Sequence, residues 1–122
     1  MELYVGMEYV SETVVDESNT ALAMGSGDLP VLATPAMVAL MENAAMNAVA
    51  PCLTVEQTTV GGHINVVHLA PTKMGESVHA KALLKNVEGR KLTFEVCAFQ
   101  DEKLIGEGTH VRFMVDRGRF MK

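Results

Sequence analysis

The chain has 122 residues, the size of one ordinary domain, and we expect residues 1–122 to form a single folded unit. Its net charge is −5, and its cations form neither a basic stripe nor an aromatic ladder, so nucleic-acid binding is excluded. Apolar residues make up 48% of the chain and aromatic residues only 5%, which predicts an aliphatic core and surplus apolar surface buried in an oligomer.

The first predicted elements are a strand and a loop. Residues 9–15 are rich in β-branched side chains and partly alternate, which indicates a strand. Residues 16–30 are polar and then glycine-rich, which indicates a loop with a short ordered piece at Ala21–Met24.

One long helix follows the loop. Thr34 suits the N-cap, Pro35 suits the first helical position, and Pro51 should end the helix at about Ala50. Alanine, methionine and leucine dominate this segment, and all three are strong helix formers.

Four strands complete the chain as a meander, and we expect them at residues 58–69, 77–87, 91–99 and 103–115. The Gly61–Gly62 pair predicts a bulge or a close backbone approach, and residues 116–122 should form a frayed or docking tail. The order β-α-β-β-β-β indicates an α+β fold with one helix on one antiparallel sheet. A single sheet covers only one side of that helix, so a second copy is expected to cover more.

No targeting or membrane segment is recognisable. The N-terminus has neither the basic start nor the apolar run of a secretory signal, and no apolar stretch is long enough to cross a membrane. Cys52 and Cys97 are isolated, which fits reduced thiols better than a disulfide framework. We therefore expect a cytoplasmic protein without membrane attachment.

Glu42 is the only charged residue between Asp28 and Glu56, in the middle of the apolar helix. A carboxylate in such a setting must be paired, hydrogen-bonded or protonated, because burial of a bare charge is expensive. Carboxylates of this kind gather at functional sites; the alternative places Glu42 at a rim in contact with water.

Two histidines lie on one predicted strand, and we consider them as metal ligands and as a general base. His63 and His68 are five residues apart, so a regular strand directs them to opposite faces and they do not form a metal pair. We expect no metal and no redox cofactor. His68 ends its strand, where a histidine can act as a general base at the mouth of a cleft. The alternative is a histidine whose hydrogen bonds are all made within the fold and that has no catalytic role, and we expect His110 to be structural in this sense.

The predicted start of the helix has a possible second use. Capping alone explains Thr34, but free N–H groups at a helix N-terminus can also stabilise a developing oxyanion. Pro35 has no N–H, which leaves the N–H groups of Thr34, Ala36 and Met37 as donors.

Three stretches resemble hotdog-fold acyl-CoA thioesterases, and most specifically the fluoroacetyl-CoA thioesterase-like family. They are ATPAMVALMENAA with APCL (residues 33–45 and 50–53), VGGHINVVHLAPTKMGESV (60–78), and VEGRKLTFEV leading to IGEGTHVRFMV (87–96 and 105–115). The resemblance covers residues 32–115 and implies a hotdog fold, a sheet wrapped around one helix. It also implies a homodimer or a dimer of dimers with the site at the interface.

The family is implied to use a Thr/Glu/His set, which falls on Thr34, Glu42 and His68 of this chain. Thr34 and Glu42 are eight residues apart, about 12 Å along a helix, so we expect them to reach one thioester from different subunits. The resemblance also places Gly61 against the thioester, and we expect Gly62, Ala36 and Met37 to complete the substrate-binding surface.

These expectations describe an acyl-CoA thioesterase that hydrolyses a short-chain acyl-CoA to the free acid and CoA. Glu42 would act as general base or nucleophile, His68 would orient water or shuttle a proton, and Thr34 would position the carbonyl. The alternative is a non-catalytic hotdog module that binds acyl-CoA or a small apolar ligand. Residues 24–33 contain no aromatic side chain, whereas the family's namesake has aromatic gating residues there, which predicts weak selectivity for fluoroacetyl-CoA.

Overall fold

The computed structural model describes residues 2–122 as one antiparallel sheet with one long helix. The elements in chain order are β1 (Glu8–Val14), α1 (Ala21–Met24), α2 (Thr34–Val49), β2 (Gln57–His68), β3 (Ser77–Glu88), β4 (Lys91–Gln100), β5 (Lys103–Asp116) and α3 (Arg117–Phe120). The predicted order of one strand, a long helix and four strands is confirmed. Each predicted strand boundary lies within one residue of the observed one.

The sheet has the strand order β1-β3-β4-β5-β2, so β1 and β2 are its two edges. The predicted four-strand meander is correct only for β3, β4 and β5, because β2 pairs with β5 at the far edge and not with β3. The helix α2 lies on one face and packs mainly against β1 and β3. Its buried side is made of methionine and small residues, which allow the helix to approach the sheet closely. These residues are Met37, Met41, Ala44, Ala45, Ala48 and Val49.

The start of α2 differs from the prediction. Ala33 is the N-cap and makes no side-chain cap, Thr34 is already helical, and Pro35 is therefore the second helical residue. Tertiary hydrogen bonds fix the entry to the helix instead, because Ala33 N–H donates to the carbonyl of Asn19 (2.9 Å). The prediction that Thr34 caps the helix was wrong, and its hydroxyl is free to bond elsewhere.

The glycine pair in β2 forms the expected bulge. The pairing of β2 with β5 shifts between Gly61 and His63, so that Gly61 is opposite Arg112 and His63 is opposite Val111. After the bulge the strand alternates regularly to His68, whose side chain lies on the helix side of the sheet. His63 and His68 therefore lie on opposite faces, as predicted.

The C-terminal tail forms the short helix α3. The Asp116 carboxylate caps it by accepting from Arg119 N–H (3.1 Å), and Arg117 N–H donates to the carbonyl of Glu56 (2.8 Å). The docking alternative for this tail is the correct one. Within residues 2–122, no helix combines the length and hydropathy that a membrane span requires.

Candidate active site

Thr34 and His68 meet although 34 residues separate them in the chain. Thr34 Oγ1 lies 2.7 Å from His68 Nδ1, which joins the first turn of α2 to the last residue of β2. Neighbouring backbone bonds hold both partners, because Leu32 N–H donates to the Thr72 carbonyl (2.8 Å) and Leu69 N–H donates to the Ile105 carbonyl (2.7 Å). A hydroxyl and an imidazole at this distance form the basic unit of a nucleophile–base pair.

The surroundings of His68 favour its neutral form. Burial lowers the pKa of His68 below its ordinary 6.5, and the nearby Ala70 backbone has a smaller opposing effect. The second ring nitrogen, Nε2, is buried and has no hydrogen-bond partner within residues 2–122. A neutral imidazole can accept a proton from the Thr34 hydroxyl or from water.

A cavity of about 310 Å³ opens beside this pair. The segment before α2 and the chain after β2 form its walls, and none of the lining residues is Phe, Tyr or Trp. They are Ala21, Ser26, Val31, Leu32, Thr34, His68, Leu69, Ala70 and Pro71. Residues 24–33, which contain no aromatic gating residue, therefore do border this cavity.

Glu42 lies elsewhere, two turns along α2 and beside the bulge. A Cβ built on Gly61 would be 2.8 Å from Glu42 Oε2, 3.4 Å from His110 Cε1 and 3.6 Å from Arg112 Nη1. The side chain of Glu42 is half-buried, which lies between the two alternatives considered for it. The missing side chain at Gly61 leaves open a small space bounded by a carboxylate and a guanidinium.

Arg112 is almost fully buried under this space. Its Nε donates to Thr59 Oγ1 (2.8 Å), its Nη2 donates to the Thr59 carbonyl (2.9 Å), and its Nη1 lies 3.2 Å from His110 Nε2. Burial lowers the pKa of Arg112, and the charge of Glu42 opposes this effect. The carboxylate thus compensates in part for a guanidinium that has lost its water.

His110 is held in one protonation state by its two partners. Its Nδ1 lies 2.7 Å from the carbonyl of His63, which can only accept, so Nδ1 carries the hydrogen and Nε2 accepts from Arg112. Burial lowers the pKa of His110, Arg112 acts in the same direction, and the His63 backbone bond and Glu42 oppose it. The expectation that His110 is structural agrees with these contacts.

The predicted substrate-binding residues are only partly brought together. Gly61 faces Glu42, but a Cβ on Gly62 would meet the ring of Phe113 at 2.5 Å on the other side of the sheet. The prediction for Gly62 was wrong because the bulge turns consecutive glycines to opposite faces.

The donors at the start of α2 also differ from the prediction. Met37 N–H donates to the Ala33 carbonyl (3.0 Å), and the Met37 side chain is buried in the core, so Met37 does not serve as a free donor. Ala36 is half-buried and precedes the first intrahelical bond. The usable N–H groups here are those of Thr34 and Ala36.

The chain therefore carries two separate half-sites. One contains Thr34 and His68, and the other contains Glu42, Gly61 and Arg112. Eight residues of helix, about 12 Å, separate Thr34 from Glu42 and also rotate them to different sides of α2. One copy of the chain does not bring the predicted catalytic set together.

Arg112 of the second half-site was not predicted, and neither was its hydrogen-bond partner Thr59. Arg112 lies on a predicted strand. Its position two residues after His110 was an available signal, because both side chains must then lie on the same face of a strand.

Comparison with known proteins agrees with this architecture. The family model described as fluoroacetyl-CoA-specific thioesterase matches residues 15–118. The fluoroacetyl-CoA thioesterase of Streptantibioticus cattleyicolor is 41% identical over 90 residues, which cover 74% of this chain and 65% of that protein's length.

Solved structures show the same similarity in three dimensions. A mutant of the fluoroacetyl-CoA-specific thioesterase FlK, in complex with fluoroacetate and CoA, has a TM-score of 0.90 at 34% identity, over 97% of this chain and 99% of that one. A hypothetical thioesterase superfamily member from Thermus thermophilus has a TM-score of 0.90 at 29% identity, over 98% of this chain and 89% of that one. The fold is the predicted hotdog fold, and the chain belongs to the fluoroacetyl-CoA-specific thioesterase family.

Proposed function

We propose that this protein is a thioester hydrolase that cleaves short-chain acyl-CoA to the free acid and CoA. The contact of 2.7 Å between Thr34 Oγ1 and His68 Nδ1 at the mouth of a cavity carries the proposal. Membership of the family supports the reaction class, and the names of its relatives specify fluoroacetyl-CoA as their substrate.

The geometry favours Thr34 as the group that attacks the thioester. Neutral His68 takes the hydroxyl proton, the oxygen of Thr34 bonds to the carbonyl carbon, and the C–S bond breaks to release CoA, which receives the proton. Water deprotonated by His68 then hydrolyses the acyl-threonine and restores the hydroxyl. Glu42 as nucleophile or general base, the role expected for it from the sequence, is the competing assignment.

The other half-site would bind the acyl group. Gly61 leaves space for the small acyl chain, while Arg112 and Glu42 bound it with opposite charges. Backbone N–H groups at the start of α2 are suited to the developing oxyanion, because they carry the partial positive charge of a helix N-terminus.

Both half-sites would join in a homodimer formed along β2. This strand is a free edge of 12 residues with apolar side chains exposed, Ile64 at 37% and Val67 at 56%. The unpaired backbone N–H and C=O groups of such an edge can pair with a strand of another chain. If two copies of β2 pair antiparallel about a twofold axis at Asn65, the partner's His68 stands opposite the Gly61–Gly62 bulge, and inward residues face inward residues.

Thiol release from a panel of acyl-CoAs tests the proposal. The native protein should release CoA, Thr34→Ala should lose a factor of about 100 or more, and Thr34→Ser should retain much of the rate because it keeps a hydroxyl. An acyl group found on Thr34 by mass spectrometry after rapid quenching would support the attack by threonine. Tight CoA binding without any thiol release would favour the non-catalytic module instead.

Subunit mixing tests the shared site. Thr34→Ala should be nearly inactive alone because it lacks the attacking hydroxyl. Glu42→Gln should also be nearly inactive, because it removes the carboxylate that faces Arg112 at the acyl half-site. Refolded together in equal amounts they should recover up to about a quarter of native activity, since half of the dimers are mixed and each has one intact site. Absence of recovery despite verified exchange would show that each site uses one chain.

A further inference from the structure

One end of the sheet carries half of the cations of this acidic chain. Arg90 and Lys91 lie at the β3–β4 hairpin, and Arg117, Arg119 and Lys122 lie in or after α3, five of the ten lysines and arginines. Backbone and side-chain bonds bring the hairpin against the end of β5. Met114 N–H donates to the Arg90 carbonyl (2.8 Å), and Arg90 Nη1 donates to the Met114 carbonyl (3.2 Å). We call these five residues the basic end.

The charges of the basic end are not neutralised by ion pairs. The ion pairs within residues 2–122 are Lys81–Glu8 and Lys85–Glu95, and neither involves these five cations. Three carboxylates lie close in the chain, those of Glu56, Glu88 and Asp116. Asp116 is occupied in capping α3, and Glu88 accepts from Asn86. Arg90 and Arg117 each use one N–H group on a backbone carbonyl, so the remaining guanidinium N–H groups are available to an anion.

Two cavities flank α3 and are bordered by arginines of the basic end. One, of about 330 Å³, is bordered by Arg90, Arg119 and the ring of Phe120, which is 55% exposed. The other, of about 260 Å³, has Arg117, Met46 and Thr59 among its lining residues.

The second cavity leads back to the candidate active site. Thr59 is two residues before Gly61 on β2, and Met46 is one turn beyond Glu42 on α2. From Gly61 to the start of β2 at Gln57 the strand covers about 13 Å. Gln57, Thr58 and Thr59 line this cavity, so this groove follows β2 from the basic end toward the acyl half-site, and an extended chain can lie in it.

We propose that the basic end binds the phosphoadenosine diphosphate end of the CoA substrate, with the pantetheine arm in the groove between Arg117 and Gly61. Arg90, Arg117 and Arg119 contact the phosphates, because guanidinium groups match phosphate oxygens in charge and geometry. Phe120 stacks on the adenine ring, as exposed aromatic side chains commonly do. This assignment rests on the proposed acyl-CoA hydrolysis and extends it to the part of the substrate that does not react.

A truncated substrate separates this binding from the chemistry. Acetyl-CoA and S-acetyl-N-acetylcysteamine share the thioester, but only acetyl-CoA has the phosphates and adenine. Arg119→Ala and the double variant Arg117→Ala/Arg119→Ala should raise KM for acetyl-CoA, the double variant by about tenfold or more, with kcat retained. Hydrolysis of the truncated thioester should be unchanged. Lys103→Ala, at the opposite end of β5, is the matched control and should alter neither.

Other results would overturn the proposal. Equal losses on both substrates would mean that the arginines support the fold or the site, and no loss on either would mean that the phosphates bind elsewhere. Arg119→Ala guards against misfolding, because no hydrogen bond or ion pair of its side chain is present within residues 2–122.

Failure of the proposed reaction is distinguishable from failure of this assignment. If the native protein hydrolysed neither thioester, calorimetry with free CoA and free pantetheine would decide the point. Weaker binding of CoA alone in the double variant would support the basic end as its site, and unchanged CoA binding would refute it.

Discussion

Arg112 Nη1 lies 3.2 Å from Nε2 of His110, and both side chains are buried below Gly61. The nitrogen that accepts from Arg112 is the one that protonation of His110 would fill. A proton there would replace a hydrogen bond by a contact between two cations in a poorly hydrated place.

This relationship predicts that the protein loses stability in mild acid. Burial is the main cause that lowers the pKa values of His68 and His110. Below pH 6.5 these two histidines are therefore protonated to a greater extent in the unfolded chain than in the folded one. The free energy of unfolding should therefore decrease as the pH falls below 6.5, until the folded pKa values are reached. Urea unfolding at several pH values measures it. His110→Gln should flatten this dependence, and an unchanged slope would contradict the assignment.

Catalysis should respond to pH through His68. The neutral imidazole is the active form, so kcat/KM should rise with pH, with a midpoint below the 6.5 of an ordinary histidine. The pH–rate profile for acetyl-CoA, measured within the stable range, reports this midpoint. A midpoint above 6.5 would mean that a different group, or a charged His68, limits the reaction.

The two adjacent glycines should differ in their effects. Gly61→Ala places a Cβ 2.8 Å from Glu42 Oε2 and should lower kcat/KM by about tenfold or more, since small displacements at a reacting centre are costly. Gly62→Ala places its Cβ against the partly exposed Phe113 ring and should change kcat/KM by less than about threefold. Steady-state kinetics and thermal melting of both variants test this, and equal losses would show that Gly61 has no special place in the site.

The twofold axis proposed at Asn65 can be tested by cross-linking. In a background with Cys52 and Cys97 changed to alanine, Asn65→Cys should form a disulfide-linked dimer on mild oxidation. Residues that face each other across antiparallel strands are about 4.5–5.5 Å apart at Cα, within disulfide range. Val67→Cys is the matched control, because the same axis pairs it with His63. Efficient cross-linking of Val67→Cys without cross-linking of Asn65→Cys would contradict an axis at Asn65 and would place it near Val67 instead.

Selectivity for fluorine should be weak. In the proposed dimer, the cavity beside His68 joins the acyl half-site of the partner subunit, and it is bordered by Ala21, Ser26, Val31 and other residues, none of them Phe, Tyr or Trp. One small apolar difference contributes only about 1–3 kcal/mol of discrimination. We expect less than about a tenfold preference for fluoroacetyl-CoA over acetyl-CoA, equivalent to about 1.4 kcal/mol. The ratio of the two kcat/KM values measures it. A ratio above about a thousand would require gating by residues outside this cavity or in a partner subunit.

Periodicity and breakers were enough to predict the strands and the long helix of this chain, because alternating strands and an alanine-rich helix are local features. They did not predict that β2 pairs with β5 at the edge of the sheet, because strand pairing depends on contacts distant in the chain. The separation of Thr34 from Glu42 also followed from the sequence, since helix geometry fixes it. The role of the Thr34 hydroxyl did not follow, because the Asn19 carbonyl that holds the helix entry comes from a distant loop. Arg112 was missed for a related reason: a cation on a strand resembles a solvated residue until its partners, Thr59 and His110, are known.

The bulge has one more consequence. Gly62 is a supernumerary residue in the ladder between β2 and β5, since its neighbours Gly61 and His63 already pair with consecutive residues of β5. A single-residue deletion of Gly62 should therefore leave the monomer's own sheet intact and even more regular. In the proposed dimer, the partner's His68 lies opposite both Gly61 and Gly62. The shortened chain would then fold at least as well as the native one, but its two subunits would pair with a shifted strand register. The protein would then retain an irregular strand for the sake of assembly and turnover, at some expense to its stability.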